Sequence, residues 1–148
     1  MKMKFSIDLL IKEKLLSKIP PSKQKSQESI KSAELWLKES KNNFNSKSFN
    51  SCVLTSYISM FHAARSILFF DGYREKSHFA VARYLEEIYQ TKGLIEPEWI
   101  KLLDYYRELR HEDQYSTSFF ITEKDAKNAL DSAKKFIDRI IKLLKDKE

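Results

Sequence analysis

The run Tyr105-Tyr106-Arg107-Glu108-Leu109-Arg110-His111-Glu112-Asp113-Gln114-Tyr115 crowds two guanidinium groups, an imidazole and three phenols into eleven positions. On a helix, Arg107 lies one turn from both Arg110 and His111, so the three share a face. Arginine offers a planar fork to phosphate oxygens and histidine changes protonation near neutral pH, so this face suits holding a phosphate and moving a proton. The same spacing also describes an exposed helix end laced with ion pairs, in which Glu108 and Glu112 offset their basic neighbours. On spacing alone that account is the simpler one.

Two further groups invite the same question. His62 and Arg65 stand three residues apart in an apolar stretch, where an arginine must reach a partner or a cavity because a buried unpaired charge is costly. A buried salt bridge would satisfy it, and a lone core histidine is more often a hydrogen bonder than a ligand. Lys76-Ser77-His78 opens a helix, where free backbone N–H groups, a hydroxyl and two basic side chains could hold an anion or simply form a cap. Three scattered histidines without cysteine partners give no metal set, no glycine-rich phosphate loop is present, and Cys52 lacks an adjacent histidine, which favours packing over nucleophilic chemistry.

Helices must position these groups. A first helix is expected over about residues 6–18, with Ile7, Leu10, Ile11, Leu15 and Ile19 on one stripe, ended by Pro20-Pro21. A second starts near Ser22 and carries Ile30, Ala33, Trp36 and Leu37 inward to about Phe44. The third, about 48–71, is apolar nearly all round and should be the central element, with Gly72 as its C-terminal cap. After a loop at 73–76, Ser77 caps a helix to about Thr91 and Gly93 closes it. Glu96-Pro97-Glu98 opens the next, which runs at least to Leu109. Following a connection over 116–121, Thr122 caps a last helix whose stripe runs from Ala126 to Leu144.

Composition agrees. The chain has 148 residues, two glycines and three prolines, too few turn formers for a β-sandwich or a glycine-rich nucleotide fold, so the expectation is an all-α, up-and-down bundle of four to five main helices. One cysteine excludes an internal disulfide and points to the cytoplasm, and the stretch 52–70 is judged short and impure for a membrane span. The net charge of +6 is concentrated in residues 1–47, which alone carry +6; residues 48–121 sum to −2 and residues 122–148 to +2. The overall charge is therefore weak evidence for nucleic acid, and phosphate recognition must rest on a few placed residues.

The segment Ser56-Tyr57-Ile58-Ser59-Met60-Phe61-His62-Ala63-Ala64-Arg65-Ser66-Ile67-Leu68, then Lys76-Ser77-His78, then Leu109-Arg110 with Tyr115 five residues later, resembles the HEPN superfamily, and within it the small prokaryotic UPF0332 branch. The resemblance runs from about residue 30 to 144. It implies residues 1–20 as an N-terminal helical extension and 21–148 as the HEPN-like bundle, commonly a homodimer. Many such proteins are encoded beside a minimal (MNT-type) nucleotidyltransferase with which they form a toxin–antitoxin pair, and many are metal-independent endoribonucleases. The family signature is an arginine, usually followed by a polar residue and separated from a histidine by four to six residues. Arg steadies the scissile phosphate and His moves protons across the dimer.

Carried over, Arg110 matches the signature arginine, His111 the polar residue, and Tyr115 stands where the histidine belongs. A phenol with a reference pKa of ~10 is a poor base at neutral pH. Arg107 with His111 is too short for the pattern. Tyr115 also invites comparison with a tyrosine that the partner nucleotidyltransferase modifies with AMP in some members. The implied catalytic set is Arg110, His111 and Tyr115, and the implied nucleotide- or RNA-binding set is Arg65, Lys76, His78 and Arg107, with no cofactor, metal or membrane partner. The leading expectation is the HEPN component of a HEPN/MNT pair, binding nucleotide or RNA and the nucleotidyltransferase. The alternatives are an active endoribonuclease toxin and a ligand-free interaction module. The site requires the central helix and the helix ending near Arg110 to lie side by side, with Arg65 towards Arg110.

Overall fold

The computed structural model describes residues 5–116 and 120–148. Six helices form the all-α bundle expected, with α1 at Ile7–Lys12, α2 at Lys23–Asn45, α3 at Phe49–Asp71, α4 at His78–Leu85, α5 at Pro97–Tyr115 and α6 at Glu123–Lys147. The expected start signals hold: Ser22, Ser77 and Thr122 each accept a hydrogen bond from a backbone N–H of the first turn, Pro97 opens α5, and Thr122 with Asp125 closes a reciprocal capping box. Gly72 ends α3 in the left-handed region, φ +94°. Of the connection expected over 116–121, Thr117, Ser118 and Phe119 lie outside the described residues.

The N-terminal segment differs from expectation. α1 stops at Lys12 because Lys14 takes φ +61° and the N–H groups of Lys14 and Leu15 return to the carbonyls of Ile11 and Leu10, a Schellman closure. Leu16–Lys18 then runs as a strand, β1, antiparallel to β2 at Tyr73–Glu75, with Leu16 opposite Glu75. The helix expected to residue 18 and the loop expected at 73–76 are here a pair of strands. Leu10 and Leu16 reach the core, so the ribbon is packed on the bundle.

α2 and α3 form an antiparallel hairpin whose seam is made of small residues. Ser26, Ser29, Ala33 and Ser40 of α2 are buried against a helix that buries Cys52, Ser56, Ser59, Ala63 and Ser66. Most of these serines satisfy their hydroxyls locally or across the seam: Ser29 Oγ donates to the His62 carbonyl (2.6 Å), Ser40 Oγ to that of Cys52 (3.0 Å), Ser40 and Ser56 share a 2.5 Å hydroxyl contact, and Ser59 and Ser66 donate to the carbonyls three residues before them. The inward face expected of α2 is corrected accordingly: Trp36 is exposed, as is Leu35, while Ile30 and Leu37 are half-buried. α6 covers the other side of α3 with Ala126, Ala129, Ala133, Phe136 and Ile140.

By length and composition α3 could cross a membrane, contrary to the sequence judgement, but 72% of its most apolar window is buried inside the bundle, as a core helix requires. Between α4 and α5 the helix widens into a π-turn, Glu86–Gln90, where a continuous α-helix to Thr91 had been expected. The start of α5 is tied to α6 by Arg139, whose guanidinium forks onto both oxygens of Glu96 (2.9 Å each) and lowers the Glu96 carboxyl to about 2.

Candidate functional site

The end of α5 and the start of α4 meet on the flank of α3. Ser77 caps α4, its Oγ accepting from the Ala80 N–H (3.3 Å), which makes His78 the first helical residue and Phe79 the second. The His78 ring lies parallel to Phe61 of α3, centroids 4.0 Å apart and planes 8° apart, and its Nδ1 is 2.9 Å from the Tyr57 hydroxyl. Burial, reinforced by the Arg110 charge, holds the His78 pKa below the ordinary histidine value. Burial pushes the Tyr57 phenol up despite the arginines beside it, so Tyr57 keeps its proton.

Arg107, Arg110 and His111 line an open cleft of about 450 Å³ together with Phe79, Glu108 and Glu112. Arg110 lies over the Tyr57 ring (5.2 Å to its centroid) and donates from Nη1 to Gln114 (3.2 Å), while its buried Nε has no partner among the described residues. Arg107 lies over Phe79 (5.3 Å) and reaches Asp104 (3.3 Å) and Glu108 (3.8 Å). Arg83 covers the same ring (5.0 Å) and also pairs with Asp104. His111 is exposed on the rim with its ring 4.7 Å from that of Tyr115. Tyr115 itself is 66% exposed and is outside the cleft lining. Of the three residues carried over as catalytic, Arg110 and His111 share a cleft, and Tyr115 stands beside it.

Arg65, Lys76 and His78 line a second cleft of about 230 Å³ with Phe61, Arg74, Glu75 and Ser77. Arg65 makes the salt bridge that the sequence reading weighed, donating from Nε (2.6 Å) and Nη2 to one oxygen of Glu75, and it covers Phe61 at 4.7 Å. The order Arg65, Phe61, His78, Tyr57, Arg110 is therefore a continuous set of contacts that runs from the second cleft to the first. α3 and α5 lie side by side, as the shared-site expectation required. Among the described residues no group of three or more His, Cys, Asp or Glu side chains could hold a metal.

The sequence model for the HEPN domain matches residues 26–144, most of the chain. The chain belongs to the HEPN family. A Methanocaldococcus jannaschii protein named "Putative toxin MJ0605" is 29% identical over 117 residues, covering 79% of this chain and 87% of that protein. An Archaeoglobus fulgidus protein named "UPF0332 protein" is 27% identical over 110 residues, covering 74% and 87%. The HEPN match takes in every residue lining the two clefts and leaves out α1 and β1.

In this HEPN chain, sequence reasoning passed over five residues of the site. Tyr57 and Phe61 were read as core because they sit at helical spacing in an apolar run, and Phe79 was read as an inward residue of α4. Glu75 and Asp104 carried no signal, since their arginine partners are ten and twenty-one residues away. The available hint was the unexplained Arg65 in the same run, which needed both a carboxylate and aromatic cover.

Proposed function

We propose that this protein is the HEPN component of a toxin–antitoxin-type pair, that it binds the phosphate of a nucleotide or RNA in the cleft of Arg107, Arg110 and His111, and that it associates with an MNT-type nucleotidyltransferase. The observation that carries the phosphate reading is Arg110. Its guanidinium lies over the Tyr57 ring at the cleft, with an Nε that lacks a partner among the described residues, so its hydrogen-bonding capacity is not fully committed within the protein. The M. jannaschii relative's name supports the toxin side of the reading. The nucleotidyltransferase partner and the homodimer rest on the family resemblance.

The test is fluorescence anisotropy with labelled RNA and nucleotides in EDTA. Wild type should bind with strong salt dependence and Arg110→Ala should lose at least about tenfold. Equal affinity of the two would end the phosphate assignment. Pull-down with the product of a neighbouring nucleotidyltransferase gene tests the partner.

A second reading, a metal-independent endoribonuclease, is favoured by one contact: His111 shares its cleft with Arg110, so a proton-moving group and an anion-steadying group lie together in one chain. RNA cleavage in EDTA that His111→Ala abolishes would establish it. Intact RNA after prolonged incubation would remove it.

A further inference from the structure

The second cleft contains a hydrogen-bonding capacity that nothing among the described residues uses. Glu75 is buried, with its side chain 4% exposed, and both bonds from Arg65 converge on Oε1. The other oxygen, Oε2, is shielded from water and has no partner among the described residues. A buried carboxylate oxygen left in this way is costly and unusual. The carboxylate is also fixed in place. Glu75 sits on β2 opposite Leu16, the Lys76 N–H donates to the Leu15 carbonyl (2.8 Å), and Arg65 clamps the oxygen that is already used. Glu75 lines the cleft of Arg74, Lys76, Ser77 and His78.

A phosphate cannot satisfy Oε2, because phosphate oxygens at neutral pH accept hydrogen bonds and repel a carboxylate. The missing partner must be an N–H or O–H. Phosphates suit the cations on either side, Arg107 and Arg110 in the first cleft and the exposed Arg74 and Lys76 on the rim of the second. A ligand that offers both anions and a donor is a nucleotide, and the cleft of about 230 Å³ has room for a planar base edge. Resting on the reading that the neighbouring cleft binds nucleotide or RNA phosphate, we propose that Glu75 is a specificity residue: Oε2 accepts from the exocyclic amino group of a nucleobase that enters by displacing the exposed side chains of Arg74 and Lys76. Cytosine and uracil separate this chemistry cleanly, since cytosine presents an amino group where uracil presents a carbonyl oxygen, and carboxylates accept from cytosine N4.

The experiment measures anisotropy of labelled hexacytidylate and hexauridylate in EDTA, with CMP and UMP as competitors to distinguish a polymer from a free nucleotide. Wild type should prefer the cytidylate by about tenfold. Glu75→Gln keeps an acceptor for Arg65 and can place an amide N–H₂ where Oε2 was, so the preference should vanish or reverse while hexauridylate still binds. Glu75→Asp, which retains the charge but withdraws it by one methylene, should also lose the preference. Arg110→Ala should weaken both oligomers alike. Equal binding of the two by wild type, an unchanged preference in Glu75→Gln, or a preference that follows ribose against deoxyribose instead of the base would overturn the Glu75 assignment and leave the phosphate reading standing. Failure of every oligomer and nucleotide to bind would overturn both.

Discussion

Two carboxylates flank the junction between α3 and β2, four residues apart, and their surroundings complete them differently. Asp71 is the last residue of α3, where a negative charge meets the negative end of the helix dipole. It is compensated fully: Oδ2 accepts from Tyr84 (2.7 Å) and Tyr89 (2.5 Å), and Oδ1 lies 3.0 Å from the Lys147 ammonium, which also rests over the rings of Phe70 and Tyr89. On a regular α-helix two residues five apart point about 140° from each other, and the π-turn is what lets both phenols converge on one carboxylate. Asp71 thus joins α3, the end of α4 and the end of α6. Glu75 has one oxygen clamped and the other empty beside a cleft. A half-buried charge whose bonds are all made acts as a joint, whereas a buried one with a bond missing next to open space is a candidate site.

Substitutions can break or sharpen that contrast. The largest effect is expected from Asp71→Ala, which strands two buried phenols and an ammonium and should cost about 3 kcal/mol in urea denaturation. A cost no greater than that of Glu75→Gln would erase the distinction. Next is Gly72→Ala, because φ is +94° and a Cβ would come within 2.9 Å of the Ile19 carbonyl oxygen and of Pro21 Cγ; a loss of about 2 kcal/mol is expected, read from the same transition. Glu75→Gln should cost about 1 kcal/mol or less, since Arg65 keeps an acceptor and is partly solvated, and its main consequence should be in ligand choice.

The smallest effect concerns pH. Burial lowers the pKa values of His62 and His78 in the folded protein, aided by Arg65 and Arg110 respectively. The unfolded chain therefore takes up protons first as pH falls below about 6.5, so stability should be level above that value and decline below it. Urea midpoints between pH 5 and 8 would show this, a range in which Glu96, lowered to about 2, stays ionised. His78→Gln should make the decline shallower, and an unchanged slope would mean that His78 contributes nothing to it.

Much of the helical frame was legible because its signals are local. Ser22, Ser77 and Thr122 as caps, Gly72 as a stop and Pro97 as a start each act within one turn, so both ends of α2 and α3 and the start of α6 could be read to within a residue or so. The ribbon was not legible, since three-residue strands are too short to show a period and nothing in Lys14 announces a left-handed backbone. The serine seam was missed for a related reason: hydrophobic periodicity looks for large side chains, and α2 approaches α3 through residues chosen for being small. Within the site, the spacing of Arg107, Arg110 and His111 put them on one face but did not by itself separate a cleft from an ion-paired helix end, and the structure shows both the shared cleft and the Arg107 ion pairs. Tyr57 and Phe61 were hidden because an aromatic ring that supports a guanidinium looks, in one dimension, like any other core ring. The empty oxygen of Glu75 is a property of three-dimensional surroundings and has no sequence signature.

The π-turn Glu86–Gln90 has a consequence for how this chain can vary in length. Deleting a single residue between Tyr84 and Tyr89 would leave the two phenols four positions apart, about 40° from each other on a regular α-helix, so both could still face Asp71. Point changes at the half-buried positions of the turn leave that phase intact. A relative lacking the extra residue could thus keep both phenols on the carboxylate at the end of α3 from a regular α-helix, whereas a further one-residue insertion would turn Tyr89 away from it.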